Sequence, residues 1–336
     1  IGRSVFSNQT KLANLPNLGS TNITGLKYVT NNSGSQQSPE AVVFVNGTFY
    51  NTAFSKISIA PATSATRNTQ KAAAGEIVLP NIANMNLDFR SSGEAGVFSN
   101  MPNLETIDLS NLKSDSADVL TANITGLNGL IFNNSPKLAN ITIAGPIPTI
   151  PAYAFKGCTG LQNVDFTQLP NITTIGRGAF QNTTIETVDL SACKKLTTID
   201  QDAFRDANVK LLDLSACEAL TTINRNAFTG VALNAETPLK LTLPATLVTI
   251  DNNAFYGSNI TELVFPENSA LQTIGSDSFR NSKLTKLDFT NCASLRSIGN
   301  TSFQDSSAIE SITFADSANV SLGVGCFQGT GVKTID

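Results

Sequence analysis

The amino-acid sequence predicts a solenoid, in which short coils of chain stack on one another and each coil repeats the same few elements. The first observation is a phenylalanine that recurs at steps of 24 to 27 residues. The second is an aliphatic residue five positions before each of these phenylalanines. A fixed period of this length is the signature of stacked repeats. The recurring residues are Phe155, Phe180, Phe204, Phe228, Phe255, Phe279, Phe303 and Phe327.

Each coil is predicted to carry two short strands and one turn. After the phenylalanine comes a pattern such as Ile185-x-x-Val188-x-Leu190, whose last two apolar residues alternate with a polar one, as in a strand. A shorter apolar pair follows and indicates a second strand. The segment from Ile199 to Phe204 has room for one helical or 3₁₀ turn. Equivalent strands of successive coils should then pair in parallel, about 4.8 Å apart.

The full repeat reads Ile-x-x-x-Ala-Phe-x-x-Cys/Ser-x-x-Leu-x-x-Val-x-Leu, and its cleanest copy spans residues 150–166. This pattern resembles the BspA-like leucine-rich-repeat family of surface proteins. The resemblance implies a leucine-rich-repeat solenoid that is right-handed and horseshoe-like. Its strands would be short and parallel, joined by turns or by single 3₁₀ or helical turns.

We expect residues 1–336 to form one solenoid. Regular coils of about 24 residues would occupy 127–336, and 1–126 would contain irregular or degenerate coils with insertions. The polar stretches 30–40 and 61–75 are predicted to be loops, as is the longer coil around 231–238. A separate small N-terminal domain is the alternative.

The composition argues against several functions. The chain has no histidine, which is the most common general base and a common metal ligand. We therefore expect no catalytic residues, no metal site and no cofactor. The net charge is −4, with no basic cluster beyond Lys194 and Lys195, so nucleic acid is a poor candidate partner. No stretch approaches the roughly 20 apolar residues of a membrane span, so we expect no membrane insertion by this chain. We expect a monomer.

The chain has five cysteines and no Cys-x-x-Cys motif. We expect them to fill the interior as small apolar side chains. Cys193 and Cys217 lie on neighbouring coils and could come within reach of a disulfide, although stacked parallel side chains have poor geometry for that bond. The five are Cys158, Cys193, Cys217, Cys292 and Cys326.

Candidate ligand-binding residues lie on the first strand, which in leucine-rich repeats lines the concave face. Its outward polar position is often aspartate, and the candidates are Asp165, Asp189, Asp213 and Asp288. The first three should stand in one file about 4.8 Å apart. Such a row would bind cations, take up basic groups of a partner, or have raised pKa values. The alternative is that each carboxylate is solvated and supported by neighbouring Thr and Asn, which is the usual situation for exposed strand charges.

The second strand carries a row of hydroxyl side chains. Cross-strand threonine pairs stabilise a sheet, which is sufficient reason for the row. Binding of ice or of a polysaccharide surface is the alternative. The row consists of Thr149, Thr174, Thr198, Thr222, Thr249, Thr273, Ser297 and Ser321.

The resemblance implies a non-enzymatic, bacterial cell-surface or secreted adhesion protein that presents its concave face to host matrix proteins or glycans. A structural spacer within a larger surface protein is the first alternative. The second is a polysaccharide-active β-solenoid enzyme that uses Asp189 and Asp213 with Lys210. The regularity of the coils argues against the enzyme, because an active site normally breaks a pattern locally.

Overall fold

The computed structural model describes residues 55–59, 76–79, 98–110, 132–143, 147–231, 239–316 and 318–336. The chain divides into two compact units, Ile1–Leu161 and Gln162–Asp336. The loops predicted at 30–40 and 61–75 lie outside the described residues, as does nearly all of the insertion predicted around 231–238.

The first unit contains a four-stranded parallel sheet in the order β2-β1-β3-β4. Because β1 lies between β2 and β3, the strands of this sheet do not follow chain order. The rings of Phe98 and Phe155 stack on opposite sides of Phe132, at centroid distances of 5.4 and 5.8 Å. The four strands of this sheet are β1 (Lys56–Ile59), β2 (Glu76–Leu79), β3 (Thr106–Leu109) and β4 (Asn140–Ile143). A two-residue strand outside this sheet, β5 (Thr149–Ile150), follows them in the chain.

The second unit alternates two kinds of strand, which we call short and long. The short strands have two residues each: β6 (Thr174–Ile175), β8 (Thr198–Ile199), β10 (Thr222–Ile223), β12 (Thr249–Ile250), β14 (Thr273–Ile274), β16 (Ser297–Ile298) and β18 (Ser321–Leu322). The long strands are β7 (Thr187–Asp189), β9 (Leu211–Asp213), β11 (Leu239–Thr242), β13 (Ile260–Val264), β15 (Lys286–Phe289), β17 (Ser311–Phe314) and β19 (Thr334–Ile335), and all but the last have three to five residues.

The short strands form one unbroken parallel sheet, in chain order from β6 to β18. In this register, the hydroxyl residue of each short strand pairs with the hydroxyl residue of the neighbouring strand. The aliphatic residues pair in the same way. The aliphatic side chains from Ile175 to Ile298 are 0–1% exposed, whereas the hydroxyl residues up to Ser297 are half-buried. The predicted second strand of each coil is therefore confirmed as a short strand with one buried aliphatic residue.

The phenylalanines form a column of stacked rings inside the coils. From Phe180 to Phe327, successive ring centroids lie 5.2–5.6 Å apart and the planes differ by 2–17°. The rings from Phe180 to Phe303 are fully buried. Together with the parallel strands, this column confirms the predicted solenoid.

The phenylalanine turn itself is not helical. The residues two before and two after Phe204, Asp202 and Asp206, have φ angles of 59° and 56°. Glycine, asparagine and aspartate tolerate this left-handed region best, and they hold nearly all equivalent positions in the other coils. The N–H groups of Asp202, Phe204 and Asp206 donate to carbonyls of the next coil at 2.8–3.1 Å. The turns thus form a third hydrogen-bonded ladder.

The long strands form three separate sheets instead of one: β7-β9, β11-β13 and β15-β17-β19. The strand predicted at Leu161-x-x-Val164-x-Phe166 is reduced to an isolated bridge between Asn163 and Thr187. A 3₁₀ turn, Phe166–Gln168, replaces its end. Asp165 caps this turn by accepting the N–H of Thr167.

Candidate functional site

The four candidate aspartates are all exposed. Three of them lie on long strands, and only two of these pair with each other. Asp189 and Asp213 end β7 and β9, and they are direct neighbours in the parallel register. Asp165 precedes the 3₁₀ turn on the coil before β7.

Asp288 belongs to a different part of the face. It lies on β15 and pairs with Thr313 of β17. Thr242 and Val264 hold the equivalent positions on the two coils between Asp213 and Asp288. The four aspartates therefore do not form one acidic cluster.

Each candidate aspartate closes a local turn at the end of its strand. The Oδ1 atoms of Asp189 and Asp213 accept the backbone N–H groups of Ser191 and Ser215, at 2.9 and 2.8 Å. This is the Asx turn, in which a carboxylate satisfies a backbone N–H two residues ahead. Asp165, Asp288 and Asp108 make the same bond to Thr167, Thr290 and Ser110. The shared Asp-x-Ser/Thr spacing is the sequence signal that indicates this role.

The turn also lowers the pKa of two of these aspartates. Hydrogen bonds from the Ser191 hydroxyl and its backbone N–H lower the pKa of Asp189. The Thr290 hydroxyl is the main cause of the lowered pKa of Asp288, with smaller contributions from the Thr290 N–H and the charge of Lys286. The raised pKa values considered above are therefore wrong for Asp189 and Asp288, because hydrogen-bond donors from the turn outweigh the effect of desolvation on each carboxylate. Both carboxylates are anionic at neutral pH.

Two lysines near the candidate aspartates are paired with glutamates of neighbouring coils. The Lys210 ammonium lies 2.8 Å from the Glu186 carboxylate, and Lys240 lies 3.3 Å from Glu262. Lys210 is thus engaged by Glu186, whereas no ion pair joins it to Asp189 or Asp213 among the described residues. Leu211, which follows Lys210 and pairs with Thr187, is 56% exposed.

The cysteines are buried free thiols, as expected from the sequence. Burial raises the pKa of the Cys158 and Cys217 thiols to about 12, and that of Cys193 and Cys292 to about 11. Cys193 and Cys217 are not joined. Since the thiolate is the reactive form, these side chains are inert at neutral pH.

Across the described ranges, no three His, Cys, Asp or Glu side chains come close enough together to hold a metal ion. In the same part of the chain, no helix has the length and apolar character needed to cross a bilayer. The hydroxyl row adds contacts between coils, as where Ser297 Oγ donates to Thr273 Oγ1 at 3.4 Å.

Two solved structures resemble the chain at low sequence identity. One is a leucine-rich repeat protein from Bacteroides ovatus ATCC 8483, with 16% identity and a TM-score of 0.49, covering 84% of this chain and 63% of the other. The second is a leucine rich cell surface protein from Faecalibacterium prausnitzii A2-165, with 19% identity and a TM-score of 0.32, covering 59% and 60%. The chain thus spans about three fifths of the length of each protein.

A search of curated proteins found no match. The family model for the BspA type leucine rich repeat region matches residues 125–238 and 235–336, with six copies of the repeat. These residues include the phenylalanine column, the short-strand sheet and all the long strands of the second unit. By this repeat, the chain belongs to the BspA type leucine-rich-repeat family.

Proposed function

We propose that the chain is a non-enzymatic binding protein, exported to the cell surface or secreted, that uses the outward face of its long strands. Membership of the family supports a binding or structural role. The observation that carries the choice of face is the adjacent pair Asp189 and Asp213, which are exposed beside the uncovered side chain of Leu211. The proposed partner is an extracellular protein or a glycan.

The chemistry of this face fits a partner that brings hydrogen-bond donors or basic groups. Oδ1 of Asp213 is used by its own turn, and its second carboxylate oxygen accepts no hydrogen bond from the described residues. The Asp189 carboxylate is anionic and exposed in the neighbouring position. A lysine, an arginine or a row of sugar hydroxyls could therefore be bound without first breaking an ion pair.

Export is supported by analogy. The Faecalibacterium protein is described as a cell surface protein, and the low charge and regular surface of this chain suit the same environment. We propose that residues 1–336 act as one monomeric solenoid, with its irregular coils in 1–126. A spacer that holds another module away from a surface is the alternative, and it predicts no binding by the isolated chain.

The test is a binding screen of the chain against immobilised matrix proteins and a glycan panel, with and without calcium. The informative variant changes Asp165, Asp189, Asp213 and Asp288 to Asn. Asparagine removes the charge but keeps an oxygen that can accept the turn N–H, so the variant should remain folded. Asp108→Asn makes the same change at the equivalent turn of β3, in the first unit, and serves as the control.

A ligand that binds the native chain and the control but not the fourfold variant supports the proposal. Binding that survives the fourfold change would move the site away from these aspartates. If the whole panel fails to bind, the spacer alternative is favoured.

A further inference from the structure

The three hydrogen-bonded ladders of the second unit are not equally continuous. The short-strand sheet and the phenylalanine column run unbroken through all its coils. The long-strand ladder is interrupted twice, between β9 and β11 and between β13 and β15. Both interruptions lie on the side of the coils that carries the proposed binding face.

At the first junction, β9 and β11 share very little backbone bonding. Among the described residues, one backbone hydrogen bond joins them at the strand ends, from Leu214 N–H to the Thr242 carbonyl at 3.3 Å. On the opposite side of the same two coils, Thr222 pairs with Thr249. The rings of Phe204 and Phe228 stack at 5.2 Å between those two sides.

The second junction, β13 to β15, has bonds where the strands begin and again just after they end, where Asn291 Nδ2 donates to the Phe265 carbonyl at 2.9 Å. Lys283 N–H donates to the Ile260 carbonyl at 3.1 Å, and Thr285 N–H donates to the Thr261 carbonyl at 3.3 Å. Within the described part of the chain, no ladder continues along Lys286–Phe289 towards β13. The short strands β14 and β16 remain paired across this junction.

We propose that the coil stack of the second unit bends at these two junctions, with the short-strand sheet as a continuous spine. A parallel ladder holds neighbouring strands at a fixed spacing through its hydrogen bonds, so a junction without that ladder is the easiest place to open. The long-strand face then consists of three rigid segments: β7-β9, β11-β13 and β15-β17-β19. These segments can adjust separately to the shape of a partner, although the bending itself does not depend on the binding function.

Two pairs of spin labels on the same coils test this proposal by double electron–electron resonance. The first pair, Asp189→Cys with Val264→Cys, joins β7 to β13 across the first junction of the long-strand face. The second pair, Thr198→Cys with Thr273→Cys, joins β8 to β14 along the spine. The native thiols are buried, so the labels attach to the introduced cysteines.

Bending predicts a distance distribution about twofold broader for the long-strand pair than for the spine pair. Equal widths, whether narrow or broad, would overturn the proposal, because they would mean that the coils are rigid or that both sides flex together.

Amide hydrogen exchange of the unmodified chain provides a second readout. The strands β11 and β17 both have four residues. β17 pairs with β15 on one side and β19 on the other, whereas β11 pairs only with β13 among the described strands. We expect the amides of β11 to exchange about tenfold faster on average. Equal protection of the two strands would contradict the hinge at β9 and β11.

Discussion

Asp189 and Asp213 lie side by side on adjacent parallel strands, and each accepts a hydrogen bond from a serine N–H two residues further along its own chain. The same carboxylates thus end the strands and give the face its negative charge. The turn explains why aspartate recurs here without any ligand, and the exposure of the pair is what makes a partner possible. The predictions below separate these two roles.

Loss of the turn bond should destabilise the chain more than loss of the charge. Asp213→Ala leaves the Ser215 N–H without its acceptor and should lower the free energy of unfolding by about 1 kcal/mol, like the loss of a helix N-cap. Asp213→Asn keeps an oxygen in place and should cost less than half of that. Denaturant unfolding measures both values, and equal losses would show that charge, not the turn, is what matters at this position.

The lowered pKa values predict a specific dependence on pH. Asp189 and Asp288 have folded-state pKa values below those of the unfolded chain. Their contribution to stability is therefore fully present above about pH 4 and is lost as the pH falls through the folded-state values. The drop in Tm between pH 6 and pH 3 should be smaller in the double variant Asp189→Asn, Asp288→Asn than in the native chain. An identical drop in both proteins would argue against these two carboxylates.

The phenylalanine column should dominate the stability of the coils. Phe228 is fully buried and stacks on Phe204 and Phe255. Phe228→Ala should cost about 3–5 kcal/mol through lost burial and the cavity it leaves. Phe228→Leu refills most of that volume and should cost less. Phe314 is partly exposed, so Phe314→Ala should also cost less than Phe228→Ala. A loss below about 1 kcal/mol for Phe228→Ala would mean that neighbouring coils collapse into the space.

Thr301 is a site where the chain can be stabilised. It is a β-branched residue in the left-handed region, with φ 54°, and its hydroxyl donates to Asp277 at 2.9 Å. Asn226 occupies the equivalent turn position with φ 57° and donates through Nδ2 to Asp202 at 3.0 Å. Thr301→Asn should therefore keep the bond and relieve the backbone, raising stability by about 0.5–1 kcal/mol. Thr301→Gly relieves the backbone but loses the bond, so it should gain less. A lower Tm for Thr301→Asn would contradict this interpretation.

Much of the fold could be predicted because its causes repeat every coil. The spacing of Phe180, Phe204 and Phe228 gives the stack of rings, and the Thr-Ile pairs give the short strands. Each of these features depends only on a side chain meeting its own counterpart one coil away. A period in the sequence is enough to indicate such contacts.

The features that were missed arise within a coil or at breaks in the repeat. The Asx turns depend on the spacing from Asp189 to Ser191, which is a local pattern unrelated to the period. The interruption at β9 and β11 coincides with the coil that is three residues longer than most, measured from Phe228 to Phe255. The extra length can be read from the sequence. The sequence does not indicate which of the three ladders the extra residues interrupt.

The most direct test of the account is the affinity of the fourfold Asp→Asn variant for a ligand of the native chain. If the long-strand face binds a partner through its carboxylates, the variant should keep the native Tm within a few degrees and lose at least about tenfold in affinity, equivalent to about 1.4 kcal/mol. Asp108→Asn should bind like the native chain. Unchanged affinity in a folded fourfold variant would contradict the proposed binding face.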